Sequence, residues 1–291
     1  MTSESRRFRF VQFEFPWALG PEPGRYPIRE QLGEPPAQVL VVTVLGAPER
    51  RLLPRRRRAV AAPPDPPPEP VLTTRATLID TTSLDGYEAA AGWLAAADLD
   101  ALAEAALVRL NRVLHAHRIA AADPYVREVA RAQALVVRVG FGNGERVVDG
   151  HWDRARELPR AGRRSPRGGA GRAAALRPQE RLAALLAARD AALACEELTL
   201  RTRADADAQR WREAALGLRI AFEATLAELE PWREVTGMAD RLAQLREHRA
   251  AIGDLANTAL QGGLQDEQIE LIRVVLGRIE RALRARTAGG V

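Results

Sequence analysis

Two stretches of this chain cannot join a packed core, and their positions constrain how the rest can fold. Residues 47–70 hold Arg55, Arg56, Arg57 and Arg58, then the run Pro63, Pro64, Asp65, Pro66, Pro67, Pro68. Such a stretch is extended and polyproline-like, with too little apolar surface to offset the entropy of ordering it. Residues 159–177 mix Arg, Gly and Ala around Arg163, Arg164, Ser165, Pro166, Arg167, Gly168 and Gly169. The first reads as a disordered insertion inside an N-terminal region, residues 1–158. The second reads as a linker to a C-terminal region, residues 178–291.

The N-terminal region reads as α+β, with a small mixed or antiparallel sheet and two helices. Phe8 and Phe10 share one strand face, and Val11, Phe13 and Phe15 the other, which predicts a twisted or bulged strand ending at Pro16. Residues 39–45 (VLVVTVL) form an apolar run between Pro36 and Gly46, the pattern of a strand buried on both faces. Residues 71–79 read as a weaker third strand. Helices are expected at about 86–97 and 100–121, the second carrying Leu99, Leu102, Ala106, Leu110, Val113 and His117 at spacings of three and four. Residues 134–141 and 145–148 then read as a hairpin around Asn143-Gly144.

The C-terminal region reads as an antiparallel four-helix bundle. The first helix starts near Pro178 and carries Leu186, Leu193 and Leu200 at a seven-residue repeat. The second, about 207–230, carries Trp211, Ala215, Leu218, Phe222, Leu226 and Leu229 and stops at Pro231. The third carries Met238, Leu242, Leu245, Ile252 and Leu255 and ends before Gly262-Gly263. The fourth, with Asp266 as its expected cap, carries Ile269, Ile272, Leu276, Ile279 and Leu283.

Charge adds less than its total suggests. All 43 basic residues are arginine, the habit of a high-GC bacterial genome. The absence of lysine removes P-loop, Schiff-base and kinase-type chemistry. The basic surplus comes from 51–75, with six Arg against two acids, and from 151–180, with eight against three, while the rest of the chain is slightly acidic and brings the net charge to +5. Arg55–Arg58, with Arg163, Arg164 and Arg167, are therefore the candidate nucleic-acid contacts, each displacing a phosphate counterion. Neither residues 47–70 nor residues 159–177 supply aromatic residues to stack on bases.

Other chemistry is sparse. His115 and His117 are two apart, about 200° around a helix, so they do not chelate one ion, and no metal or cofactor is expected. Cys195, the lone cysteine, reads as a mid-helix core residue beside Glu196 and Glu197, whose charges oppose a thiolate. Gly140-x-Gly142-x-Gly144 lacks the dinucleotide spacing. Asp205 and Asp207 read as dipole-matching acids ahead of the second helix. No apolar run reaches a membrane span, and the first fifteen residues lack a signal-peptide core, so a cytoplasmic, non-membrane protein is expected.

One constellation bears a resemblance. A bundle carrying an arginine, four to six residues and then a histidine is similar to the HEPN ribonuclease superfamily, here at Arg241 and His248. That resemblance implies metal-independent RNA cleavage at a dimer interface. The family usually follows its arginine with a polar residue, where Leu242 stands here. All four histidines have an arginine at this spacing (Arg109, Arg112, Arg146 and Arg241), so the spacing discriminates nothing. The reading that follows is a non-enzymatic interaction or scaffold protein, associating with itself or a protein partner through its helical bundle. Nucleic-acid binding through the arginine-rich stretches and HEPN-like cleavage are its rivals.

Overall fold

The computed structural model describes residues 6–31, 33–46, 72–159 and 178–289. Arg55–Arg58, Arg163, Arg164 and Arg167 lie outside the described residues. The chain forms two units, Met1–Arg163 and Arg164–Val291. The first is α+β, and the described part of the second is helical.

In the first unit, strands β1 (Arg7–Phe15), β2 (Gly24–Ile28), β3 (Gln38–Leu45), β4 (Thr73–Leu84), β5 (Val136–Gly142) and β6 (Arg154–Glu157) form an antiparallel sheet in the order β2-β3-β4-β1-β5-β6. Helices α1 (Gly86–Ala96) and α2 (Leu99–Ala120) cover one face. The period of two along each strand sends Val11, Phe13, Phe15, Leu40, Val42, Leu78, Val139 and Phe141 into one core with Leu94, Leu110 and Leu114. Asp98 caps α2 by accepting the Ala101 N–H at 3.0 Å.

The β1–β4 register shifts between Phe8 and Phe10, the irregularity expected from the change of apolar face there, while β1 pairs with β5 without a shift. The sheet departs from the sequence reading in two places. The weak third strand is a twelve-residue strand beside β1, because Thr77 and Arg75 are satisfied by Gln12 and Glu14 across the ladder. β2 was not legible because it contains Pro27, tolerated at a sheet edge where one side needs no donor.

The expected hairpin at Asn143-Gly144 is also corrected. Residues 144–149 form a 3-10 turn, and β5 pairs instead with β6. Val147 and Val148 gain more by packing on Phe10, Val41 and Ile79, on the face that the helices leave open, than they would in an edge strand.

The second unit has six described α-helices where four were expected: α3 (Pro178–Leu186), α4 (Ala194–Asp207), α5 (Trp211–Glu228), α6 (Met238–Arg246), α7 (Arg249–Gln261) and α8 (Asp266–Gly289). The expected third helix is two, α6 and α7, broken between Arg246 and Arg249, and one buried cluster gathers Leu218, Phe222, Leu242, Ile252, Leu276 and Ile279 from α5 to α8. The leucine heptad does not hold. Leu186 and Leu200 are exposed, and the chain breaks between them with Ala188 in left-handed geometry. The buried face of α4 is instead Cys195, Thr199, Thr202 and Ala206. Small side chains there let α4 approach α5 closely, where a Cβ on Gly217 would stand 2.8 Å from the Thr202 hydroxyl.

Long-range charge sets that break. Glu228, at the end of α5, caps α4 by accepting the Cys195 N–H at 2.8 Å and the Ala194 N–H at 3.3 Å. Arg286, whose side chain is almost fully buried, pairs with Asp190 at 2.7 Å and Glu196 at 3.4 Å and lies 4.7 Å over Trp232. Cys195 therefore sits in a first turn rather than mid-helix. Asp205 and Asp207 close α4 rather than opening α5, and Asp205 is held there by Arg210 at 2.8 Å. Asp266 is the first residue of α8, not its cap, and Gln268 reaches back to the Gln265 N–H at 3.0 Å.

Candidate functional site

A groove of about 380 Å³ opens on the first unit between two segments far apart in sequence, residues 17–20 after β1 and residues 123–133 after α2. Trp17 follows Pro16, and its ring leans on buried Phe15 at 5.5 Å between centroids while remaining 37 % exposed. Leu19 anchors the segment in the core. Gly20 has φ +115°, and a Cβ there would meet the His117 ring at 3.0 Å and Val126 at 3.2 Å, so the two walls touch only because this residue is glycine.

The second wall is locked by its own bonds. Asp123 Oδ1 accepts the Tyr125 N–H at 2.8 Å, an Asx turn that starts the loop. Val126 and Val129 are buried. Asn111, on α2, donates to the Val129 carbonyl at 2.9 Å and accepts the Val129 N–H at 2.8 Å. Gln133 Oε1 accepts the Ala130 N–H at 2.7 Å. Between these restraints Tyr125 is 82 % exposed. Arg127 is exposed on the same wall, and Glu128 lies 4.0 Å from the His115 ring. Two aromatic surfaces on a fixed frame give apolar and π contacts at little entropic cost. The sequence reading missed this site. Asp123-Pro124 signals a turn there, but nothing local says that the ring after it stays in water.

A second pocket, of about 220 Å³, lies between the sheet and the two helices. Its charges already neutralise one another. Arg9 pairs with Asp80 at 2.9 Å, lies 5.8 Å over Trp93, and Gln38 donates to Asp80 from the neighbouring strand. At its mouth Arg109 stands 3.6 Å from Glu30.

Of the candidate site residues singled out from the sequence, Arg241 and His248 are described, and each has a partner of its own. Arg241 donates to the Gly237 carbonyl, one turn back along its own helix, at 3.2 Å. His248 Nε2 lies 2.7 Å from the Arg278 guanidinium on α8. A guanidinium can only donate, so this nitrogen accepts and the ring proton belongs on Nδ1. Burial first, and then the Arg278 charge, hold His248 below its ordinary range. Burial, followed by Glu228, pushes the Cys195 thiol up to about 12, far from a nucleophile at neutral pH.

Among the described residues, no group of three His, Cys, Asp or Glu side chains could hold a metal ion, and no helix is long and apolar enough to cross a membrane. No protein-family model, curated protein or solved structure matches this chain.

Proposed function

We propose that this chain is a non-enzymatic cytoplasmic protein-interaction module, and that the groove between Trp17 and Tyr125 is its binding surface. The observation that carries the reading is Tyr125, a large aromatic ring in water on a loop pinned on both sides. Folding gains little from that ring, whereas a partner would gain the burial of its face.

The test separates binding from folding. Tyr125→Ala should leave the melting temperature of the full chain nearly unchanged, because its ring is 82 % exposed. A photo-crosslinking residue at position 125 should form a discrete protein adduct in cells, and one at the exposed position 118 should not. Equal labelling at both positions, or none at 125, overturns the reading.

Self-association through the helical unit belongs to the same proposal. Leu182 and Leu186, one turn apart on α3, are 50 % and 80 % exposed. Paired Leu→Ser changes should reduce the mass seen by sedimentation to that of one chain. A mass that does not move removes this part.

A further inference from the structure

We infer that the Trp17–Tyr125 groove recognises a proline-rich segment, and that its occupant is this chain's own Pro63–Pro70. The inference rests on reading the groove as a protein-binding surface. Three observations point to this occupant.

The first is the chemistry of the walls. Proline rings need no donor from their receptor's backbone and pack on flat aromatic surfaces, and the polyproline conformation is largely pre-ordered, so docking costs little entropy. Trp17 and Tyr125 supply two such surfaces within one groove of about 380 Å³. The second is charge. Residues 63–70 read Pro-Pro-Asp-Pro-Pro-Pro-Glu-Pro, two Pro-Pro-acid-Pro units in tandem, and exposed Arg127 lines the groove where Asp65 or Glu69 would meet it.

The third is place. The ladder sets Phe15 opposite Thr74 on β4, and Leu45 of β3 opposite Thr73. The described chain therefore stops after β3 and resumes before β4 at the end of the sheet where β1 passes into Trp17. Pro70 is three residues from Thr73, roughly 10 Å of chain at about 3.4 Å per residue, and neighbouring strands are only about 5 Å apart. The tether is thus short, and a short tether gives an effective concentration on the order of millimolar.

The experiment uses a fluorescein-labelled synthetic peptide covering residues 60–71. It is titrated against the full chain and against a full-length variant with Pro63, Pro64, Pro66, Pro67, Pro68 and Pro70 each changed to Ser. Freed of its internal competitor, the variant should bind at least tenfold more tightly than the parent. Trp17→Ala or Tyr125→Ala in the variant should abolish binding with an unchanged circular dichroism spectrum, and Arg127→Glu should weaken it severalfold.

Equal binding by parent and variant shows that the chain's own segment does not occupy the groove. Binding that survives Trp17→Ala and Tyr125→Ala places the peptide elsewhere, and absence of binding to the variant ends proline recognition. Each of these overturns the inference. If the position-125 adduct still forms after any of them, the interaction reading stands and only the proline-rich occupant is lost.

Discussion

Cys195 and His248 show how a residue's neighbours decide its chemistry. With its thiol pushed up to about 12 by burial and Glu228, Cys195 is protonated and enclosed. Native protein at pH 8 should not react with a thiol-specific disulfide reagent, and full reaction should appear only in denaturant. Rapid labelling of the native chain would contradict the packing of α4 on α5. His248 is held below its ordinary value by burial and by Arg278, with Glu247 opposing weakly. A base whose folded pKa is depressed gives stability that is present above its unfolded pKa of about 6.5 and lost as pH falls. The chain should therefore lose stability as pH falls below about 6.5. Arg278→Gln should shift His248 upward and flatten that slope. A slope unchanged in the variant would mean that the coupling is absent.

At the scale of an element, the groove loop depends on two residues outside it. Asn111 supplies both bonds to Val129, and each such bond contributes about 1 kcal/mol net. Asn111→Ala should cost roughly 2 kcal/mol and raise amide exchange in residues 125–130 above that of the sheet. Gly20→Ala must enforce a left-handed backbone and push on His117, and should cost about 1–3 kcal/mol. Asn111→Ala should loosen the groove loop without altering the groove's lining, whereas Gly20→Ala changes the lining itself. If either leaves loop exchange unchanged, the loop is held by something other than these contacts. Sequence pattern located α1, α2 and the interior faces of α5 to α8 well, since strong apolar periodicity survives tertiary context. It failed at α4, where Thr199 and Thr202 rather than leucines face inward, because close approach of two helices rewards small side chains.

At the scale of the molecule, each unit has its own core, one centred on Phe13, Phe15 and Phe141, the other on Phe222, Leu242 and Ile279. Separate cores need not unfold together. Phe13→Ala and Phe222→Ala should each cost about 3–5 kcal/mol, and each should lower a different calorimetric transition. A single transition that both variants shift equally would show the units to be one cooperative body.

The sequence by itself determined the division into an α+β part and a helical part, the placement of α1 and α2, and the apolar stripes of α5 to α8. These follow from local periodicity and from breakers such as Pro16 and Pro231, which act within a few residues. Only the tertiary structure decided the break before α4, the crossing of Val147 and Val148 over the open sheet face, and the exposure of Tyr125. Each depends on partners tens of residues away: Glu228 and Arg286 for α4, Phe10 and Ile79 for the valines, Asn111 for the loop beside Tyr125. Local pattern records what a residue prefers, while burial and long-range hydrogen bonds determine which preference is met.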